Sequence, residues 1–353
     1  MRRAIELARQ AWGQTHPNPM VGAVIVEDGS IVAQGYHAKA GTPHAEVMAL
    51  RALGRAPKAE AVLYVTLEPC CTHGRTPPCV DAIVAAGMRK VVVGATDPNP
   101  LHAGKGIELL KQRGVTVVSG ILAEECSDLN IIFNHWIVHH QPMVALKVAS
   151  TMDGRLVHRD NRKPFITGEA ARDDVQVWRK LFPAIAVSVN TLLADNPRLT
   201  TRLPGHESCP QRFILDRNFR SAGKVGLNLF QDVYRDRTVV VGLKNAARAS
   251  DLSWYEAEGI AVWLINGTPD DFMRQWIARC AEEGIVGIYI EAGPRLASAI
   301  IAEGVADYLF AYYAPTLEGH PDSPAWTEGE MPQLLDGRTQ VLGQDVLFRG
   351  YLA

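Results

Sequence analysis

At 353 residues the chain has room for two domains of ordinary size, roughly 100 to 200 residues each. With 47% hydrophobic and 21% charged residues it can bury a full core, which excludes an intrinsically disordered or fibrous chain. The net charge is −2, with 13 basic and 12 acidic side chains in residues 1–141 and 23 and 26 in the rest; neither half has the bias of a polyanion-binding surface.

The pattern opens with an amphipathic helix on Ala4, Ile5, Ala8, Ala11 and Trp12, then a loop at His16-Pro17-Asn18-Pro19. Val21 to Val26 and Ile31 to Tyr36 read as a hairpin turning at Asp28-Gly29. From Thr42 helices and strands alternate: helix to about Leu53, strand Ala61 to Leu67, helix Pro78 to Ala86, strand Lys90 to Gly94, helix Ile107 to Arg113, strand Val115 to Gly120. That alternation predicts an α/β domain with parallel strands. One more helix is expected from Glu124 to Phe133, and the proline after His139-His140-Gln141 sets the boundary between domains 1–141 and 142–353.

The second half restarts with strand Met143 to Ala149, helix Gly168 to Lys180 and strands Ala184 to Val189, Arg212 to Asp216, Thr238 to Gly242 and Ala261 to Ile265. Helix Asp270 to Glu283, strand Ile285 to Glu291, helix Arg295 to Glu303 and strand Tyr308 to Ala314 complete a second α/β sheet, with irregular loops at 190–210 and 316–335. The sequence has no run of 18 apolar residues, and Met1-Arg2-Arg3 opens no signal peptide. A cytoplasmic protein that binds neither membrane nor nucleic acid is the expectation, and a homo-oligomer.

Of six cysteines, Cys70, Cys71 and Cys79 fall within ten residues, a cluster that in a reducing compartment suggests metal or catalysis. His44-Ala45-Glu46 precedes one strand, and Glu68-Pro69-Cys70 and Cys79 follow it. One imidazole and two thiolates suit zinc and leave a fourth position for a water brought toward neutral pKa. Positions two apart do not share a helix face, so His44 and Glu46 serve one ion only at a helix tip, which Thr42 as N-cap and Pro43 in the first turn would provide. Cys79 after Pro77-Pro78 also opens a helix, where the dipole favours its thiolate. A closed structural zinc site would need a fourth ligand, which Cys71 or His73 could supply, but it leaves Glu46 without a task.

The order His-x-Glu then Pro-Cys and Cys is the zinc deaminase signature, here with eight residues between the cysteines. Val65-Thr66-Leu67-Glu68-Pro69-Cys70, Gly74-Arg75-Thr76-Pro77-Pro78-Cys79, His16 to Gly22, Gly35-Tyr36-His37, His44-Ala45-Glu46 and Asp97-Pro98-Asn99-Pro100 resemble the deaminase half of the bifunctional riboflavin-biosynthesis deaminase/reductase family. The resemblance implies a cytidine-deaminase-like α/β/α domain acting on a diaminopyrimidinone that carries a ribosylamino 5′-phosphate. It makes His44, Cys70 and Cys79 the ligands of one zinc per chain and Glu46 the catalytic proton shuttle, with Asn18 and His37 on the ring and Arg75 on the phosphate.

In the second half, Ile288 to Arg295 form a strand, a glycine turn and a helix start of the kind that holds phosphate, without the Gly-x-Gly-x-x-Gly of an ordinary dinucleotide site. Lys147 to Arg155, Ile166-Thr167-Gly168, Ala171-Arg172, Asn190 to Pro197, Leu199-Thr200 and Glu291 to Pro294 resemble the same family's reductase domain. That implies a dihydrofolate-reductase-like α/β fold using NADPH to reduce a ribosyl to a ribityl side chain. By the same likeness Ala149, Phe165, Thr191, Asp195, Gly293, Pro294, Arg295, Leu296, Ala297, Ser298 and Ala299 line the cofactor site, and Lys163, Arg179, Leu199, Arg202 and Glu291 hold the phosphorylated substrate. Many members carry a serine and a tryptophan before the Ile166-Thr167 position, where this chain has Lys163-Pro164-Phe165. No side chain announces itself as the reductase's general acid. The rival readings are a nucleoside or transfer-RNA deaminase with an accessory domain and a zinc-stabilised binding module; the charge balance disfavours the first.

Overall fold

The computed structural model describes residues 1–72, 77–156, 165–319, 323–326 and 333–353. Two compact units divide the chain, Met1–His140 and Gln141–Ala353. Among the described residues no helix is long and apolar enough to cross a membrane.

In the first unit α1 (Arg2–Arg9) lays Ala4 and Leu7 against Val24 of β1 (Gly22–Glu27). The chain returns as β2 (Ser30–Tyr36) through Asp28 and Gly29, both at positive φ (49° and 73°), the conformation a tight right-twisted hairpin demands. There follow α2 (Ala45–Leu53), β3 (Val62–Leu67), α3 (Cys79–Ala85), β4 (Lys90–Ala95), α4 (Lys105–Gln112) and β5 (Thr116–Ser119). The sheet order is β2-β1-β3-β4-β5, with β1 antiparallel to both neighbours and β3, β4 and β5 parallel. Ile25, Leu63, Val65, Val91 and Val93 fill its core with Val80 and Ile83 of α3, each burial stabilising by about 1.5–3 kcal/mol for a side chain of this size.

The helix expected over Glu124 to Phe133 is two, α5 (Ala123–Asp128) and α6 (Ile131–His139). Asn130 breaks it: its side chain accepts from Met20 N–H at 2.7 Å and donates to Met20 O at 3.0 Å. A buried two-bond clamp on a distant backbone outweighs one more helical residue, and it pins the loop that carries Asn18.

The second unit contains β6 (Met143–Thr151), α7 (Glu169–Leu181), β7 (Ala184–Ser188), α8 (Val189–Asp195), β8 (Thr201–Leu203), β9 (His206–Ser208), β10 (Gln211–Leu215), α9 (Asn228–Gln231) and β11 (Thr238–Leu243). It continues through α10 (Ala249–Ala257), β12 (Ala261–Ile265), α11 (Phe272–Glu282), β13 (Gly287–Glu291), α12 (Pro294–Ala302), β14 (Tyr308–Ala314), β15 (Leu334–Leu342) and β16 (Asp345–Leu352). Nine strands run in the order β12-β11-β10-β7-β13-β6-β14-β16-β15. From β12 to β14 all neighbours are parallel; β16 and β15 close the edge antiparallel.

The stretch read as irregular at 190–210 holds α8 and the β8–β9 hairpin, and α10 and the terminal β15–β16 pair appear where no element was expected. Ser188 caps α8 by accepting from Thr191 N–H at 3.3 Å. Strand β15 is mostly exposed, buried at Leu342 alone, so the apolar alternation by which a strand is recognised is absent from it.

Candidate active sites

In the first unit three donor atoms converge: His44 Nδ1, Cys70 Sγ and Cys79 Sγ all lie within 4.8 Å of one another. His44 is itself the N-cap of α2, at φ −69° and ψ 161°. The expected cap, Thr42, is spent earlier, its hydroxyl donating to Lys39 O at 2.7 Å, so the imidazole stands at the tip and Glu46 lies in the first turn. Cys79 opens α3 behind Pro78, and Cys70 hangs from the turn after β3, accepting from Cys79 N–H at 3.3 Å.

His44 Nδ1 is 3.1 Å from Cys79 Sγ and 3.5 Å from Cys70 Sγ. A tetrahedral zinc separates its nitrogen and sulfur donors by roughly 3.6 Å, given its usual bond lengths, so the donor set fits that ion in both chemistry and spacing. Cys71 stands apart from the cluster, partly exposed, and His73 lies outside the described residues.

Charge within the cluster is uneven. The hydrogen bond from Cys79 and then the His44 ring hold the Cys70 thiol down to about 4, while the Cys70 sulfur and burial push the Cys79 thiol up. Cys79 is fully buried beside Glu46 and Cys70, and Cys70 takes the N–H at the start of α3. Glu46 is 3% exposed, and burial followed by the nearby Cys70 charge raises its carboxyl to about 7, the range in which one group both takes and returns a proton at neutral pH.

Two more expected residues join this site. Asn18 Nδ2 is 3.3 Å from His37 Nε2, and His37 Nδ1 is 3.3 Å from Pro43 O. A carbonyl only accepts, so Nδ1 carries the proton and Nε2 accepts from the amide. Burial keeps His37 neutral, and its ring meets His44 edge-on at 5.4 Å. Arg75 lies outside the described residues. Glu68, given no role from its place in the motif, buries its carboxylate among backbone N–H groups of the segment after β4.

In the second unit the end of β13 lies beside the middle of β6, Glu291 paired with Lys147, and α7 reaches the same place. Arg179 grips Glu291 through Nε and Nη2, at 2.5 and 2.9 Å, and donates from Nη1 to Thr200 O at 3.2 Å. Arg202 donates to Thr200 Oγ1 at 2.9 Å. Burial and then the Arg179 charge lower the Arg202 pKa, so two cations converge on one residue. Arg179 outweighs the burial that would neutralise Glu291 and keeps it ionised. As an anion it cannot hold a phosphate; it orients the arginine that can. Leu199 is fully buried at φ 54°.

Lys147, not singled out from the sequence, stands beside Glu291 with its ammonium 6.0 Å from the Tyr312 ring centre. Burial lowers its pKa. Gly293 caps α12 with Pro294 in the first turn, and a Cβ built on Gly293 lies 3.6 Å from Thr191 Oγ1, bringing the starts of α8 and α12 together. Ala149 lies on β6, and Asp195 ends α8, its carboxyl raised by burial. Phe165 is exposed, with the Arg172 guanidinium 4.7 Å from its ring centre. Ala297 corrects the expected lining: it is fully buried in the core cluster, because the helix turns that position toward the sheet. Ser298 donates to Trp326 O, Arg295 is exposed, and Leu296 and Ala299 are partly buried. Lys163 lies outside the described residues.

Two sequence families match the chain: the cytidine and deoxycytidylate deaminase zinc-binding region over residues 1–95 and the RibD C-terminal domain over residues 142–348. The riboflavin biosynthesis protein RibD of Actinobacillus pleuropneumoniae is 38% identical over 98% of this chain and 93% of its own length. That of Escherichia coli K12 is 40% identical over 90% and 88%. Among solved structures, RibD of Acinetobacter baumannii superposes with a TM-score of 0.77 at 36% identity over 99% of this chain and 97% of its own. A diaminohydroxyphosphoribosylaminopyrimidine deaminase/5-amino-6-(5-phosphoribosylamino)uracil reductase of Thermotoga maritima superposes with a TM-score of 0.81 at 32% identity over 100% and 97%.

Proposed function

The chain belongs to the RibD family of bifunctional deaminases and reductases of riboflavin biosynthesis, and from that premise we propose which residues carry each step and on what substrate. Residues 1–141 hydrolytically deaminate 2,5-diamino-6-(5-phosphoribosylamino)pyrimidin-4(3H)-one. Residues 142–353 reduce the resulting 5-amino-6-(5-phosphoribosylamino)uracil with NADPH. The observation that carries the reading is the convergence of His44, Cys70 and Cys79 beside Glu46, buried in the first turn of α2.

His44, Cys70 and Cys79 hold one zinc per chain. Zinc bound there supplies Lewis acidity and brings the pKa of a water toward neutrality. Glu46 takes the proton of the attacking water, delivers it to the ring nitrogen, and hands a further one to the departing ammonia. Asn18 and His37 orient the ring: with Nδ1–H committed to Pro43, His37 stays an acceptor at Nε2. Arg75 receives the phosphate.

In the second unit Arg179, steered by Glu291, and Arg202 take the phosphate of the intermediate, with the Leu199 backbone and Lys163 beside them. Thr191, Asp195, Ala149, Phe165 and the start of α12 from Gly293 receive NADPH, which supplies a hydride to the ring-opened ribose carbon. We read the protein as cytoplasmic and homo-oligomeric.

The test is direct. Purified protein given the diaminopyrimidine phosphate should release one ammonia per substrate, and adding NADPH should then consume one NADPH per ammonia. Elemental analysis should find one zinc per chain, and Cys79→Ser should lose most of it. Ammonia from cytidine or an adenosine-bearing RNA, with none from the pyrimidine phosphate, would replace this reading with that of a nucleoside or transfer-RNA deaminase.

A further inference from the structure

Parallel strands β3 and β4 end side by side, and the chain beyond each end forms a loop. Ligands of open α/β sheets bind beyond such strand ends. Beyond β3 lies the Pro69–Cys70 turn with its metal donor; beyond β4 lies the segment from Asp97 to Gly104, which has no strand or helix of its own. One side chain joins them. Glu68 donates its own N–H to Ala95 O at 2.9 Å, extending the β3–β4 pairing by a rung. Its carboxylate then accepts from Asp97 N–H at 3.2 Å, Gly104 N–H at 2.9 Å, Gly106 N–H at 2.8 Å and Ile107 N–H at 3.1 Å.

The approach is close as well as bonded. A Cβ on Gly106 would collide with Pro69 O, so the first turn of α4, which closes this loop, lies against the turn that presents Cys70 only because residue 106 is glycine. A carboxylate 5% exposed is a costly brace where an apolar contact would serve, unless all its lone pairs are used and loop position matters to function. The loop also keeps polar groups that its fold does not consume: His102 Nδ1 is buried with no hydrogen-bond partner among the described residues.

We propose that Glu68 is a positioning residue for the deamination, fastening the Asp97–Gly104 loop and the first turn of α4 to the Pro69–Cys70 turn so that the loop forms one wall of the pyrimidine pocket. This rests on reading the first unit as the deaminase of the pyrimidine phosphate, which the parent enzyme's ammonia release tests separately. Gln in place of Glu68 keeps the size but turns an amide donor toward a nest of donors, so the loop lets go.

In the full chain, Glu68→Gln should raise the KM of ammonia release by at least about tenfold while kcat falls less than about threefold, as expected when binding contacts equal in ground and transition state are lost. Zinc should stay at one per chain, and Glu68→Asp, which keeps an anionic acceptor, should recover most of the KM. Gly106→Ala, which forces the loop away without changing charge, should raise KM in the same way and serves as the test if Glu68→Gln does not fold. NADPH oxidation with the deaminated intermediate should stay within about twofold of the parent, reporting an intact chain. Unchanged KM in both variants would overturn the proposal. So would zinc loss together with a fall in kcat, which would make Glu68 a brace of the metal ligands and nothing more.

Discussion

The first unit gathers its chemistry from a short stretch: His44 and Glu46 at one helix start, Cys79 at another, and Cys70 on the strand end between them. The second collects Lys147, Arg179, Thr200 and Glu291 from across most of its length and aligns them by strand register and one bidentate ion pair. The difference is between making and breaking bonds with side chains and holding a substrate for a cofactor. On the proposed reading, each side chain of the first site has a chemical task no neighbour can assume, whereas charged groups of the second share one task, so that losing one should weaken binding without abolishing reaction.

The sharpest way to break this contrast is Glu46→Gln, which keeps the size of the side chain and removes its ability to exchange a proton. General acid–base catalysis is commonly worth 10²- to 10⁴-fold, and a group used more than once per turnover belongs near the top, so ammonia release should fall by at least about a thousandfold. Zinc should remain at one per chain, and NADPH oxidation with the deaminated intermediate should stay within about twofold. Zinc loss alongside activity would make Glu46 structural and erase its separate chemical task.

Arg179→Met probes the other side. A charge-assisted bond to a phosphate, at about 1.5–3 kcal/mol, corresponds to a rise in KM of roughly 10- to 150-fold. The residual kcat should change far less. Glu291→Gln should raise KM too, because the arginine loses its orienting partner, and the double variant should cost less than the sum of the two singles, as residues in one network do. A kcat that collapses with KM unmoved would give Arg179 a chemical task and erase the contrast.

The same difference decides what the sequence made legible. Metal donors at helix starts are readable because proline, histidine and cysteine carry the geometry in their own identities: Pro78 before Cys79 already fixes a helix tip. Lys147 escaped because a lysine in the strand Met143-Val144-Ala145-Leu146-Lys147 has no local mark; only pairing with Glu291, far along the chain, shows that it faces a site. Asn130 escaped for the same reason, its partner being the backbone of Met20. The terminal hairpin β15–β16 was unreadable on other grounds, since β15 is mostly exposed and has no apolar rhythm. Ala297 errs in the opposite direction, a motif position that the helix rotates into the core.

A fragment from about His140 to Ala353 sharpens the comparison further. All nine strands of the second sheet fall after residue 142, so the fragment should be soluble and oxidise NADPH with the deaminated intermediate within about twofold of the full chain, as independent units do. A folded fragment, judged by circular dichroism, that fails to turn over would show that the second site borrows from the first unit.

The smallest effect concerns the frame behind the first site. Glu27 at the end of β1 accepts from Arg55 at 3.1 and 2.6 Å and from Lys58 N–H at 2.9 Å. It ties the strand to the chain just beyond α2, the helix that carries His44 and Glu46. The Arg55 bonds, then that of the Lys58 backbone, hold the Glu27 carboxyl down to about 2 against an ordinary 4.5. A carboxyl lowered on folding adds stability that is complete above its unfolded value and is lost as pH falls through its folded one. The contribution should therefore be whole at pH 7, decline below about pH 5 and vanish near pH 2. Arg55 is 49% exposed, so water screens the pair and its worth is modest. Arg55→Met should lower the melting temperature of the first unit by about 2–4 °C at pH 7, and the gap to the parent should shrink by more than about half at pH 3. The second unit, which contains neither residue, should melt unchanged at both pH values. A gap that widened toward acid would mean that Glu27 gains nothing from Arg55, and that the Lys58 N–H alone holds the frame.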